Sequence, residues 1–170
     1  KSGEIPAPID ITEQPFNGRE KISRRITPIK VGFMGYRTVP VGHDDEGALA
    51  LSLQLLTNES KTGLIDELVV DRKIMEAGAF NMDFVDMGAA NFYFLPKLFF
   101  QSLTKAENLV RGQIDKLKSG DFDDEYFNAV KLTMVRQHEE YIESMEGRLF
   151  ILADLFTKNK SWEDIVEWPG

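Results

Sequence analysis

The stretch from Lys30 to Phe84 constrains the fold most, because the spacing of its apolar residues switches between strand-like and helix-like along its length. Val31-Gly-Phe-Met-Gly-Tyr36 is a short apolar run interrupted by glycines and reads as a strand. Asp44-Asp-Glu46 then precedes the apolar run Ala48 to Leu56, so Asp44 or Asp45 is expected to cap a helix with its carboxylate. Ala48, Leu49, Leu51, Leu53, Leu55 and Leu56 leave that helix little polar face, which predicts cover on more than one side. Asn58 to Gly63 is a turn. The pairs Leu64/Leu68 and Ile65/Val69 predict a second helix, with Asp66, Glu67 and Asp71 pointing outward. Ala77 to Phe84 and Ala90 to Leu95 read as strands, and Val85-Asp-Met-Gly88 suits a hairpin connection.

The rest of the chain is helical in pattern. Phe92, Phe94 and Leu95, with Leu98, Phe99 and Phe100, are expected in an aromatic core rather than as a ligand stripe. Thr104 is the expected cap of a helix that places Ala106, Val110, Ile114 and Leu117 on one side and stops at Ser119-Gly120. Asp123 caps the next helix, and Phe122 can staple onto Phe127 four residues into it. That long helix is expected to bury Phe127, Val130, Met134, His138, Tyr141 and Met145. Gly147 bends or ends it, Leu149 to Phe156 is a further amphipathic segment, and Ser161-Trp-Glu-Asp opens a short last helix. The fold class this predicts is α+β, with helices packed on one face of a small, mainly antiparallel sheet. At least one more strand is expected, from the amino-terminal arm or from residues 95–100.

Residues 1–29 read as a Pro-rich linker or arm, with Pro6, Pro8, Pro15 and Pro28, and residues 30–170 as the domain. Ile9-Asp-Ile11 and Ile22 to Ile26 could add short edge strands. Arg19, Lys21, Arg24, Arg25 and Lys30 form a basic cluster, read either as a solvated arm or as a contact to an acidic partner or substrate. The whole chain is acidic, with net charge −8 and pI ≈ 4.8. That balance argues against nucleic acid and anionic membrane as partners. With no Cys, thiol nucleophiles, disulfides and Cys-bound zinc are excluded. No apolar run reaches the roughly 20 residues of a membrane helix, and no signal peptide is evident. A start at Lys1 is what a piece of a longer protein would show. The compartment stays open between exported and cytoplasmic.

His43-Asp-Asp-Glu46-Gly47 is the one segment with the outline of a zinc motif. In H-x-x-E-H two imidazoles share a helix face and the Glu activates water. Here Gly47 stands where the second imidazole belongs, and the other histidine, His138, is far along the chain. A surface His43 and a packed, hydrogen-bonded His138 is the preferred reading, with His138 at a domain contact as the alternative. No metal ligands and no catalytic residues are assigned, and the substrate-binding residues are left unknown. The carboxylate groups Asp44-Asp-Glu46, Asp123-Asp-Glu125 and Glu139-Glu140 fit capping and solubility. The glycines form no phosphate-binding pattern, and no G-x-S-x-G surrounds a serine.

The order of these segments resembles a non-catalytic domain of the pitrilysin/insulinase-type zinc metallopeptidases. The residues that carry the likeness are Val31 to Tyr36; Asp44, Asp45, Ala48, Leu49, Leu55 and Leu56; Gly63, Leu64, Asp66, Glu67 and Leu68; and Gly120, Asp121, Phe122, Glu125 and Phe127. The resemblance implies a ferredoxin-like α+β layer and a substrate-enclosing, non-catalytic role in a larger zinc endopeptidase. It also implies a homologous zinc-bearing domain, in the same parent chain or a partner subunit, and an extended peptide as substrate. Zinc is expected in that partner and no cofactor in this chain. Where substrate-gripping domains of the family carry Arg and Tyr, this sequence has Val69 and Glu76, so no gripping pair is assigned and the likeness is to the domain following the zinc domain. A scaffold of the same family without peptidase activity and an unrelated ligand-binding α+β domain are the alternatives.

Overall fold

The computed structural model describes residues 18–25, 28–158 and 161–163. The order is β1 (Gly32–Thr38), α1 (Glu46–Leu56), α2 (Asp66–Val70), β2 (Glu76–Asp83), β3 (Gly88–Leu95), α3 (Leu103–Ser119), α4 (Asp124–Glu143) and α5 (Met145–Lys158). The fold is α+β, as the sequence pattern predicts. The strands form one antiparallel sheet in the order β1-β3-β2. Its register puts Met34, Phe92 and Ala79 in one row and Phe33, Tyr93 and Gly78 in the next. Paired residues share a face, so the rows alternate between the two faces of the sheet.

One face holds the core. Met34, Ala77, Ala90, Phe92 and Phe94 lie beneath Leu56, Leu64, Ile65 and Leu68, and beneath Ala106, Val110 and Ile114 of α3. Ile65 is 0% and Leu68 1% exposed. Burial of a side chain of this kind stabilises by about 1.5–3 kcal/mol, which is why the short α2, far below the length at which an isolated helix forms, holds here. Tyr36 meets Phe92 edge-on at 5.8 Å between ring centres. α4 lies against α1, and α5 packs chiefly on α4.

The termini of the later helices follow the sequence, with one shift. Asp123 accepts from the Glu125 amide at 2.7 Å, and Phe122 stacks on Phe127 at 6.2 Å. Gly120 ends α3 at φ 69°, a left-handed conformation that favours glycine. The cap of α3 is Ser102, whose hydroxyl accepts from the Lys105 amide at 3.1 Å, not Thr104. A serine two residues earlier does the same work in extended backbone. Asp45 occupies the cap position of α1, but its carboxylate makes no capping bond; Glu46 instead accepts from the Gly42 amide at 2.9 Å.

Four expectations are corrected. The additional strand does not occur among the described residues: Leu95 closes β3, and a turn follows Pro96. Ile9-Asp-Ile11 falls outside the described residues, as does most of the helix expected after Ser161. Leu98, Phe99 and Phe100 are exposed at 60, 75 and 106%, because the turn carries them away from the core that takes Phe92 and Phe94. On α4 only Val130 is buried and Tyr141 is 46% exposed, while Met145, at 89%, falls in α5, because α4 stops at Glu143 and Ser144 breaks the helix in extended backbone. Asp66 is 0% exposed rather than outward, and the reason lies in the turn before it.

Candidate functional site

The α1–α2 turn is built around the Asp66 carboxylate. Its Oδ2 accepts from the amides of Asn58 at 2.9 Å and Gly63 at 3.2 Å, and the Lys61 ammonium lies 3.6 Å from Oδ1. Asn58 Oδ1 accepts from the Thr62 amide and hydroxyl, both at 3.2 Å. Tyr126 of α4 donates to the Leu55 carbonyl at 3.0 Å and accepts from Asn58 at 3.3 Å. Burial raises the Tyr126 phenol above its ordinary value, against the hydrogen bonds from Thr62 and Asn58. A Cβ at Gly63 would overlap the Leu56 carbonyl, so glycine lets the turn close against the end of α1. These groups hold the turn between α1 and α2 closed against α4.

A second polar cluster ties the arm to α3. Glu107 is 6% exposed and is met by the Arg19 guanidinium, by Lys21 Nζ at 3.2 Å and by Arg111 Nε at 3.1 Å. Arg111 also donates to the Tyr36 hydroxyl at 3.3 Å, which links the cluster to β1. Burial pushes the Glu107 carboxyl upward, but the Arg111 and Lys21 hydrogen bonds and the surrounding charges outweigh it and hold the group below its ordinary 4.5. Two members of the basic cluster therefore face an acid of their own chain. On the helix only Arg111, four residues on, marks Glu107 as paired; its other two cations come from residues more than eighty positions earlier.

His43 lies in the exposed turn before α1, where Nδ1 accepts from the Asp45 amide at 3.1 Å. His138 is half-buried on α4. No group of three His, Asp or Glu able to hold a metal occurs among the described residues. Val69 is half-buried at the core and Glu76 opens β2 opposite Leu95. Arg72 sits at φ 56° in the turn after α2.

Among the described residues, the other face of the sheet carries no helix. Its rows are Phe33–Tyr93–Gly78, Gly35–Asn91–Phe80 and Arg37–Ala89–Met82. Phe33 is 71% exposed, Phe80 46% and Met82 45%. The Tyr93 ring fills the space above Gly78, where a Cβ would lie 2.6 Å from its hydroxyl. Above Gly35 the nearest atom to such a Cβ is Asn91 Oδ1 at 3.5 Å, so this position is a notch beside Phe33. β1 and β2 are the outer strands.

The class of domain this fold defines is an α+β layer with helices packed on one face of a three-stranded antiparallel sheet. The sequence profile of the Peptidase M16 inactive domain matches residues 1–134, and the chain belongs to that family. Among solved structures, a protease from Helicobacter pylori superposes with TM-score 0.67 at 22% identity, over 76% of this chain and 31% of that one. The inactive peptidase domain of a candidate zinc protease from Bordetella parapertussis superposes with TM-score 0.64 at 19% identity, over 76% of this chain and 70% of that one. The chain thus spans less than a third of the length of the Helicobacter protease. At these identities the likeness is one of fold. A search of curated proteins returned no match. Family membership sets aside the alternative of an unrelated ligand-binding domain.

Proposed function

We propose that this chain is the substrate-enclosing, non-catalytic domain of a larger zinc metalloendopeptidase. Its partner would be a homologous zinc-bearing domain of the same parent protein, and its substrate an extended peptide. Membership of the inactive-domain family is the observation that carries the reading. The outer strand β1 supports it, with Phe33 exposed beside the empty position above Gly35. An outer strand can add an extended chain through main-chain hydrogen bonds and take its alternate side chains into notches. In this reading zinc chemistry belongs to the partner, and this chain contributes a wall and a strand edge.

The test uses the 170-residue chain and an unstructured peptide of about 20 residues. Amide exchange across Gly32–Thr38 is expected to slow when peptide is added, and the peptide should remain intact. Unchanged exchange in β1 would remove the strand-edge role. Stoichiometric zinc on the chain with peptide hydrolysis would overturn the non-catalytic reading altogether.

A further inference from the structure

The cluster around Glu107 holds more positive charge than that carboxylate answers. Arg19, Lys21 and Arg111 all meet Glu107, so three cations face one anion and two positive charges are left over. Glu20, between Arg19 and Lys21 in the sequence, is exposed and pairs with neither among the described residues. The Glu107 side chain is 8% exposed, whereas those of Arg19, Lys21 and Arg111 are 55, 58 and 33% exposed. The anion is enclosed, and the cations keep a side turned to solvent. They also keep unused donors, because an ammonium carries three and a guanidinium five. One cation suffices to balance Glu107; the other two remain for a ligand. In a chain of net charge −8 this surplus is a local exception. The overall charge repels a polyanion, while a single carboxylate meets mainly the nearby cations.

The position of the cluster matters as much as its charge. Arg111 Nη1 donates to the Tyr36 hydroxyl at 3.3 Å, and Tyr36 is half-buried on the outer strand β1. A peptide residue paired with Tyr36 across the outer edge of β1 puts its side chain on the same face, about 4.5–5.5 Å away between Cβ atoms. An acidic side chain at that place stands beside the Arg111–Tyr36 bond. We propose that Arg19, Lys21 and Arg111 form a carboxylate-binding subsite beside β1, and that the peptide this domain takes up is acidic at that point. A Glu or Asp side chain or the peptide's terminal carboxylate supplies the group. A guanidinium takes a carboxylate through two parallel N–H donors, which fits the two arginines, and Lys21 adds a point charge. The inference rests on the strand-edge role given above and names the class of peptide that fits it.

Fluorescence anisotropy of the 170-residue chain with labelled, unstructured peptides tests it. One peptide carries a central Glu and an amidated terminus, a second carries Gln in its place, and a third carries Gln with a free terminal carboxylate. The Glu peptide or the free-terminus peptide is expected to bind on the order of ten-fold more tightly than the neutral one, and which of them does so identifies the source of the carboxylate. The preference should shrink in about 0.5 M salt. Lys21→Gln and Arg111→Gln should each cut it to about three-fold or less, while Arg24→Gln leaves it unchanged. Circular dichroism verifies folding, and Arg111→Lys, which keeps the charge and loses the fork, replaces Arg111→Gln if that variant unfolds. Equal affinity for all three peptides overturns the proposal. So does a preference that survives both Lys21→Gln and the Arg111 variant. Amide exchange in β1 separates this outcome from the strand-edge role. Exchange slowed alike by all three peptides, with equal affinities, keeps the strand edge and removes the subsite. A preference lost in Lys21→Gln without slowed exchange keeps the subsite and removes the strand edge.

Discussion

The sheet with α1, α2 and α3 and the α4–α5 pair are held together by different means. The first unit surrounds a continuous core in which Ile65, Leu68, Ala77, Ala106 and Val110 are fully or almost fully enclosed. That pair buries Val130, Ile151 and Leu155 and exposes more large apolar side chains than it covers. Its corner depends on Gly147, where a Cβ would overlap the Tyr141 carbonyl. The family profile ends at residue 134, within α4, so the well-packed unit and most of the matched span coincide. The difference teaches that the first unit encloses its apolar residues in a continuous core, whereas α5 leaves Met145, Leu149, Leu152 and Phe156 exposed.

Replacing Leu68, at the centre of the first unit, tests that contrast most strongly. Leu68→Ala is expected to cost about 3–4 kcal/mol in urea unfolding, through lost burial and the cavity left behind; a cost below about 1 kcal/mol would erase the contrast. Asp66→Ala should cost about 2–3 kcal/mol, because the Asn58 and Gly63 amides lose a buried acceptor. Differential scanning calorimetry reads this as a lower Tm. Glu107→Gln removes the charge that holds Arg19, Lys21 and Arg111, at about 1–2 kcal/mol. Tryptic cleavage at Arg24 and Arg25 should rise several-fold as the arm loosens.

The same carboxylate predicts a pH dependence. Its folded pKa lies below the ordinary 4.5. Its stabilising contribution is therefore complete above the unfolded value and is lost as pH falls through the folded one. The arm should stay protected from protease at pH 6 and loosen only in acid below about 4.5, with Glu107→Gln abolishing that transition. Tyr126→Phe, which cuts the bonds from α4 to the α1–α2 turn, should cost about 1 kcal/mol. The smallest global effect belongs to Leu155→Ala, at about 1 kcal/mol or less, because α5 can open without the sheet. Hydrogen exchange in α5 should nevertheless quicken well ahead of α3; equal protection of the two helices would contradict the division drawn here.

Much of this architecture was legible in the chain because it rests on local rules. Alternating and helical apolar periods gave β1, α1, the β2–β3 hairpin and the later helices, and short-range chemistry gave the Asp123 cap, the Phe122–Phe127 staple and the Gly120 stop. Candidate site residues were far less legible. Asp66 sits beside Glu67 in the sequence and looks equally solvated, yet only the closing of the 58–63 turn decides that two amides converge on it. Glu107 gains its partners from residues more than eighty positions earlier. Leu98, Phe99 and Phe100 read as core by type and were turned outward by the backbone after Pro96.

The sequence by itself determined the type of most segments and which side of each is apolar, since hydrogen bonding and side-chain periodicity act over a few residues. Only the tertiary structure decided which apolar sides are met. Among the described residues one face of the sheet is covered by helices and the other is not, and α5 leaves Met145, Leu149, Leu152 and Phe156 exposed. Cover requires a second surface of matching shape, and that is a property of how distant segments come together.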